Sequence, residues 1–188
     1  MKIRKLAQMG SMKSSLDSVA EAAVKLEGRL LLVGGYALQA YGVVRQTMDV
    51  DVLVSQADMP ALREVLTASR FAVAAETDVF ARFRGPTVYQ ADIDALVVDE
   101  ATFARLAVGT GQLAVGKHQF AVPALVHLVA LKLHAIRNNP RRELRDLADV
   151  LSLLQANAGA VDDAALRDLC ARYGPEGIWE RLDAARNR

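Results

Sequence analysis

The sequence predicts an α/β (α+β) fold, in which helices flank a mixed β-sheet and a C-terminal helical segment follows. Three observations indicate this fold: short apolar runs end at glycines before residue 60, strand-like alternation recurs between 79 and 122, and only helical periodicity occurs from 123 onward. The length of 188 residues suits one domain, or one domain with a helical appendage. We therefore divide the chain into a core, residues 1–122, and a C-terminal helical region, residues 123–188.

Glycines, prolines and the spacing of apolar residues predict the elements in chain order. The first half of the core contains a helix over 12–26, a strand over 29–33, a helix of two turns or less over 36–41, a strand over 48–54 and a helix over 58–69. Strands over 79–84 and 87–98 follow, separated by the turn signal Gly85-Pro86. A helix over 100–107 and a hairpin over 112–122 complete the core, and the C-terminal region contains helices over 124–138, 142–156, 163–173 and 175–185.

Composition excludes several classes of protein. Lysine and arginine total 23 against 22 aspartates and glutamates, so net charge gives no sign of general affinity for nucleic acid. The single cysteine, Cys170, excludes an intramolecular disulfide, and its helical setting predicts a buried thiol. No apolar segment has the length of a signal-peptide core or of a membrane span. We therefore expect a soluble, cytoplasmic protein.

The most informative segment is the strand over 48–54, which carries Asp49 and Asp51. Side chains two apart in a strand point to the same face, whereas Val50, Val52 and Val54 would face the core. Two like charges on an apolar strand are unfavourable unless a positive charge lies between them. Carboxylate oxygens are the ligands that hard divalent cations take, so this pair predicts a metal site.

A glycine pair precedes that strand. Gly34 and Gly35 follow an apolar run and come just before a short helix. Glycines permit a close approach of the backbone to a ligand, and the first N–H groups of a helix favour an anion. A nucleoside triphosphate is an anion that carries its own divalent metal, so the glycine pair and the aspartate pair together predict a nucleotide site.

A second pair of carboxylates, Asp92 and Asp94, lies on the alternating strand after the Gly-Pro turn. If that strand lies beside the first one, either residue can complete a three-carboxylate cluster. Such a cluster holds two divalent ions about 3.5–4 Å apart for phosphoryl transfer, and its third acid can accept a proton from the attacking hydroxyl. Both side chains point to one face, and we favour Asp94 because it lies deeper in the apolar run.

Two sets of charged residues in the helical region have more than one interpretation from their spacing. Lys132 shares an apolar helix face with Leu128 and Ile136, so its ammonium group either extends to the surface or meets a phosphate in a cleft. Asp146 lies one helical turn from Asp149, with arginines nearby in the chain. Spacing alone favours a solvated, salt-bridged face for this second group.

Taken together, these residues resemble the nucleotidyltransferase superfamily that includes polymerase β. The resemblance rests on Gly34-Gly35, on Arg45-Gln-Thr-Met-Asp49-Val-Asp51 and on Asp92-Ile-Asp94. The later segments Leu131-Lys132-Leu-His-Ala135 and Arg145-Asp146-Leu-Ala-Asp149 are similar to the AbiE abortive-infection toxin subfamily, of AbiEii type. The match covers about residues 31–154, and its motifs occur in the same order.

The resemblance implies a nucleotidyltransferase fold and a Mg²⁺-dependent (or Mn²⁺-dependent) reaction. A nucleoside monophosphate would pass from a nucleoside triphosphate to an acceptor hydroxyl, and pyrophosphate would leave. The implied catalytic residues are Asp49, Asp51, Asp94, Lys132 and Asp146, of which the first three are the metal ligands. The implied nucleotide-binding residues are Gly34, Gly35, Arg45, Thr47 and Lys132. The implied partners are the nucleoside triphosphate, a tRNA or other RNA acceptor and a cognate antitoxin.

Three departures from the family pattern leave the nucleotide preference and the rate open. Many members have serine where this chain has Gly35, the spacing from the glycine pair to the aspartate pair is longer than in the minimal members, and lysine is common where this chain has Arg145. The balanced net charge leaves a small-molecule acceptor, as in antibiotic-modifying relatives, as an alternative to RNA. A non-catalytic nucleotide-binding module is a further alternative, although no expected carboxylate is missing.

Overall fold

The computed structural model of the chain describes residues 13–186. These residues confirm the predicted mixed α/β fold, with eight α-helices, seven β-strands and two short 3₁₀ turns. The helices are α1 Ser15–Lys25, α2 Gly34–Ala37, α3 Met59–Ala68, α4 Glu100–Leu106, α5 Leu125–Asn138, α6 Glu143–Ala156, α7 Asp163–Tyr173 and α8 Ile178–Arg186. The strands are β1 Leu31–Leu32, β2 Asp49–Ser55, β3 Ala72–Thr77, β4 Phe80–Arg84, β5 Asp92–Val98, β6 Gly111–Val115 and β7 His118–Val122.

The main sheet has five strands in the order β1-β2-β5-β4-β3. Only β2 and β5 run parallel, and the other neighbouring pairs are antiparallel. In the parallel pair, Asp49 lies opposite Asp92 and Asp51 lies opposite Asp94. Both predicted pairs of aspartates therefore come to the same end of two adjacent strands, although more than 40 residues separate them in the chain.

One hydrophobic core joins the sheet to the C-terminal helices. Buried side chains of the strands, such as Val52 and Ile93, belong to the same core as Leu128 of α5 and Val150 of α6. Two hydrogen bonds add to this packing: the Tyr41 hydroxyl donates to the carbonyl of Pro123 at 2.6 Å, and Asn157 donates to the carbonyl of Tyr41 at 2.9 Å. The helical region therefore packs directly on the core, and the division at residue 122 stays a prediction.

The strand predicted over 87–98 begins later than its alternating pattern indicates. Residues 87–91 form a turn, in which the Gln90 amide donates to the Thr87 carbonyl at 3.1 Å, and β5 begins at Asp92. Strand β3 was not delimited from the sequence, because its residues are exposed along their whole length and lack an alternating apolar pattern. A loop of seven residues, 85–91, joins the end of β4 to the start of β5, directly before Asp92.

Two features bear on the composition. Cys170 is buried in α7, as predicted, and burial raises the pKa of its thiol to about 11, with a smaller effect from Glu180. A thiol in this setting is inert at neutral pH. Between residues 13 and 186, no helix has both the length and the apolar character needed to cross a membrane.

Candidate active site

Three carboxylates meet where β2 and β5 run side by side. Asp49, Asp51 and Asp94 each offer an oxygen atom that lies within 4.8 Å of the others, and we call this group the carboxylate cluster. Asp94 is buried, whereas Asp49 and Asp51 are half-buried. The parallel register is responsible, since it places Asp51 directly opposite Asp94.

The carboxylate cluster is electrostatically strained without a cation. Burial raises the pKa of Asp51, and the charges of Asp49 and Asp94 raise it further; Lys132 and Arg142 offset only part of this effect. A divalent cation would relieve the repulsion. The donor set consists of carboxylate oxygens alone, which fits a hard ion such as Mg²⁺ or Mn²⁺.

Asp92, the alternative third carboxylate, has a different partner. Its Oδ1 accepts a hydrogen bond from the backbone amide of Gly85 at 3.0 Å, where the loop 85–91 leaves β4. Asp92 is not a member of the carboxylate cluster. The geometry therefore brings Asp94, and not Asp92, beside Asp49 and Asp51.

Arg82 is a site residue that the sequence reasoning missed. It lies on β4 opposite Asp94 and forms two parallel bonds with it, Nε to Oδ1 at 2.7 Å and Nη2 to Oδ2 at 2.6 Å. Asp94 holds the pKa of Arg82 above its usual range. A cation bound at the carboxylate cluster would share Asp94 with this guanidinium. From the sequence, the alternating pattern of β4 predicts which face of the strand Arg82 lies on. Its partner, Asp94, follows only from the register of β4 with β5 in the structure.

The glycine pair leaves room for the side chains of the site. Gly34 has a φ of +61°, and a Cβ atom there would overlap the carboxylate of Asp51. A Cβ atom at Gly35 would lie 2.8 Å from the side chain of Thr47, whose hydroxyl donates to the carbonyl of Asp49 at 3.2 Å. The departure from the common serine at position 35 therefore has a steric reason.

Lys132 lies inside the protein and does not extend to the surface. It is 4% exposed, and its Nζ atom donates to Asp146 at 2.9 Å and to Asp149 at 2.7 Å. Both carboxylates are buried on the inner face of α6. Asp146 and Asp149 therefore do not form the solvated face that their spacing favoured.

Two partly exposed arginines bond to the carboxylates that hold Lys132. The Nε atom of Arg142 donates to Asp146 at 2.9 Å, and Arg45 forms two bonds with Asp149 at 2.8 and 3.1 Å. We call these residues, with Lys132, the lysine network. Burial acts to raise the pKa of Asp146, but Lys132 and Arg142 outweigh it and hold this pKa below its usual range. Arg45 thus contacts α6, and Asp149 joins the site as a residue not predicted from sequence.

Two cavities adjoin the carboxylate cluster, and they share no lining residue. A small one of about 170 Å³ separates it from the lysine network, and Gly34, Asp51, Asp94, Lys132 and Arg142 are among its lining residues. A larger cleft of about 600 Å³ is lined by the loop 85–91 and by residues of β2, β4 and β5. The structure thus brings every predicted site residue to one region, with Arg45 and Thr47 as supports of other site residues.

A comparison with protein families identifies this arrangement. The model of the family described as "Nucleotidyl transferase AbiEii toxin, Type IV TA system" matches residues 19–187. The chain belongs to this family. The predicted AbiEii-type resemblance is therefore confirmed, and the chain is a nucleotidyltransferase that uses a nucleoside triphosphate as donor.

Solved structures with the same fold support the architecture of this AbiEii-family chain. The antibiotic-resistance factor ANT(2″)-Ia in solution has a TM-score of 0.64 at 12% identity, covering 92% of this chain and 95% of that one. ANT(2″)-Ia in complex with adenylyl-2″-tobramycin has a TM-score of 0.56 at 17% identity, covering 92% and 94%. An antigenic nucleotidyltransferase-like protein from Paracoccidioides brasiliensis has a TM-score of 0.53 at 16% identity, covering 92% and 91%. No curated protein matches the chain.

Proposed function

We propose that this AbiEii-family chain transfers a nucleoside monophosphate from a nucleoside triphosphate to a hydroxyl of RNA, such as the end of a tRNA. The observation that carries the proposal is the carboxylate cluster, whose oxygen atoms lie within 4.8 Å of one another at one end of a parallel strand pair. We propose Mg²⁺ (or Mn²⁺) as the ion that Asp49, Asp51 and Asp94 hold. When bound, it would polarise the α-phosphate and neutralise the charge that develops during transfer.

The reaction exchanges one phosphorus–oxygen bond for another. The acceptor oxygen forms a bond to the α-phosphorus, and the bond from that phosphorus to the pyrophosphate oxygen breaks. We assign to Asp94 the role of accepting the proton of the acceptor hydroxyl. Asp94 lies on β5 and joins the two metal ligands of the neighbouring strand β2, Asp49 and Asp51. Pyrophosphate leaves with the electron pair of the broken bond.

The small cavity is the proposed place of the triphosphate. Lys132 and Arg142 give it positive charge opposite the carboxylate cluster. A lysine ammonium group has three donors, and Asp146 and Asp149 accept two of them. The third is left for a phosphate oxygen, while the two carboxylates hold the ammonium group in position. In this proposal Asp146 acts through Lys132, Arg45 acts through Asp149, and Thr47 supports the backbone at Asp49.

Local charge supports RNA over a cationic small molecule as acceptor. The exposed Arg84 extends from β4, and it lines the larger cleft together with Arg82. Arginines attract the phosphates of a nucleic acid even though the net charge of the whole chain is close to zero. They repel aminoglycosides such as tobramycin, which are polycations. A toxin role with a cognate antitoxin, in the cytoplasm where RNA and nucleotides are available, extends the proposal from the family match.

One assay tests the proposal. The purified protein is incubated with each labelled nucleoside triphosphate, Mg²⁺ and total cellular RNA. We expect label in the RNA fraction, its loss in an Asp49→Ala/Asp51→Ala variant, and its retention in an Asp168→Ala control, since Asp168 is an exposed carboxylate on α7. If label appears only in small molecules, the acceptor is a small molecule and not RNA. If the protein binds nucleotide in a metal-dependent way but transfers it to no acceptor, the chain is a non-catalytic nucleotide-binding module. Growth arrest on expression, absent for the double variant, would support the toxin role.

A further inference from the structure

The larger cleft adjoins the carboxylate cluster at Asp49, and it shares no lining residue with the small cavity. Asp49 and Arg82 form part of its wall, whereas Asp51, Asp94 and Lys132 line the small cavity. In phosphoryl transfer, the attacking oxygen and the leaving oxygen lie roughly in line on opposite sides of the phosphorus. If the triphosphate occupies the small cavity, the larger cleft is the opening beside the carboxylate cluster that is left for the acceptor.

The walls of this cleft carry exposed apolar and aromatic side chains. Met48 is 78% exposed, Val88 is 95% exposed and Tyr89 is 86% exposed. All three line the cleft, together with polar groups of the loop 85–91. Large exposed apolar groups that gather in one cleft are typical of a binding surface. The exposed aromatic ring of Tyr89 can stack on another flat ring.

Hydrogen bonds hold the loop that carries Tyr89. Its ends are fixed by the bond from Gly85 to Asp92 and by the bond from the Gln90 side chain to the carbonyl of Lys13 at 2.9 Å. Within the loop, the Thr87 hydroxyl donates to the Gln90 side chain at 3.0 Å. The backbone is thus ordered before a ligand arrives, so binding on Tyr89 would require little further ordering of the loop.

Positive charge lies beside the aromatic ring. Arg84 lines the cleft and is exposed, and it forms no ion pair with any residue from 13 to 186. Arg82, in the same wall, binds Asp94 but keeps part of its side chain in contact with solvent. A basic groove with an aromatic side chain is the combination by which proteins bind single-stranded nucleic acid, with bases stacked on the ring and phosphates on the cations.

We propose that this cleft binds the terminal nucleotide of a single-stranded acceptor RNA. Its base stacks on Tyr89 and packs against Val88 and Met48, while Arg84 contacts the backbone phosphate. The terminal ribose then points its hydroxyl towards Asp94. This assignment rests on the proposed function, because it takes the acceptor to be RNA. It adds the residues that recognise the acceptor and the part of the RNA that they contact.

Binding of a fluorescein-labelled single-stranded oligoribonucleotide, followed by anisotropy without any nucleoside triphosphate, tests the cleft directly. We expect Tyr89→Ala to weaken binding by about tenfold and Tyr89→Phe by less than about twofold, because the ring and not the hydroxyl makes the stack. Arg84→Gln should weaken binding and reduce its salt dependence. Tyr173→Ala, at a tyrosine of α7 outside the cleft, is the matched control and should bind as the unmodified protein does. Equal binding by Tyr89→Ala and the unmodified protein would overturn the proposal, as would absence of binding by the unmodified protein.

Transfer kinetics separate this proposal from the function on which it rests. With RNA as acceptor, Tyr89→Ala should raise KM for RNA by about tenfold and leave the Kd of the nucleoside triphosphate unchanged, since Tyr89 does not line the small cavity. If transfer occurs and Tyr89→Ala alters neither KM for RNA nor oligonucleotide binding, the cleft assignment fails and the proposed function stands. If no RNA is labelled but oligonucleotide binding depends on Tyr89, the proposed reaction fails and the binding site stands.

Discussion

Two groups of carboxylates lie on either side of the small cavity, and they differ in the cations that surround them. In the carboxylate cluster, Asp94 bonds to Arg82, whereas Asp51 has a raised pKa from burial and from its acidic neighbours. In the lysine network, Asp146 and Asp149 each bond to Lys132 and to an arginine, and the pKa of Asp146 is lowered.

The difference shows how one type of side chain serves two purposes within a single site. Carboxylates that crowd one another without enough positive charge attract a cation from solution. Carboxylates that each bond to two cations instead hold those cations in place. In the carboxylate cluster, the repulsion between like charges favours binding of a cation. In the lysine network, the ion pairs stabilise the folded chain. Three predictions test this contrast.

The largest expected effect is that of Lys132→Met on stability. The substitution leaves Asp146 and Asp149 buried without their shared ammonium group, which should lower the free energy of unfolding by about 3–5 kcal/mol. Urea denaturation measures this change. Lys117→Met is the control, because Lys117 forms an exposed ion pair with Asp17 that contributes less than about 1 kcal/mol. A loss at Lys132 no larger than at Lys117 would show that the lysine network does not stabilise the fold.

Acid should destabilise the protein through the same network, by less than the loss of Lys132. The folded-state pKa of Asp146 is below its ordinary value. Its contribution to stability is therefore complete above the ordinary aspartate pKa and is lost as pH falls through the lowered one. Urea unfolding between about pH 7 and about pH 3 measures the slope, which Asp146→Asn should reduce and Asp168→Asn, on the surface, should not. Equal slopes for both variants would contradict the assignment.

The smallest effect has the opposite sign and concerns the carboxylate cluster. Asp51→Asn removes a buried negative charge that Asp49 and Asp94 repel, and should slightly raise the metal-free free energy of unfolding. The same variant should lose the rise in Tm that Mg²⁺ gives to the unmodified protein. Asp92→Asn, on the same strand as Asp94, should keep that rise. Destabilisation by Asp51→Asn together with an unchanged effect of Mg²⁺ would refute the role of the cluster.

Local sequence patterns predict much of this fold because helices and hairpins depend on neighbouring residues. Helix α7 was predicted over 163–173 and has those bounds, and the hairpin of β6 and β7 was predicted within a residue. The turn at 87–91 was misread because Val88 and Tyr89 continue the alternating pattern of the sequence, although both side chains are exposed. Strand β3 pairs only with β4 and has both faces exposed, so no apolar pattern marks it.

The site was predicted in part for the same reason. Asp49 and Asp51 are close in the chain, and the strand period alone places them together. Arg45 and Asp149 form an ion pair across 104 residues, and Arg82 meets Asp94 only through the register of β4 and β5. Such contacts follow from the packing of whole elements, which the spacing of residues within one element does not determine. Family resemblance supplied Lys132 and Asp146 without the network that joins them.

The order of residues in the lysine network has a consequence for synthesis of the protein. Lys132 lies on α5, and both carboxylates that hold it come later, on α6. A nascent chain that has reached α5 already contains Asp49, Asp51 and Asp94, but its lysine still lacks both anchors. A chain that ends before Asp146 would therefore contain the three carboxylates of the cluster and Lys132, but neither of the two carboxylates that bond to this lysine. We therefore expect the lysine network to form only after α6 has been synthesised.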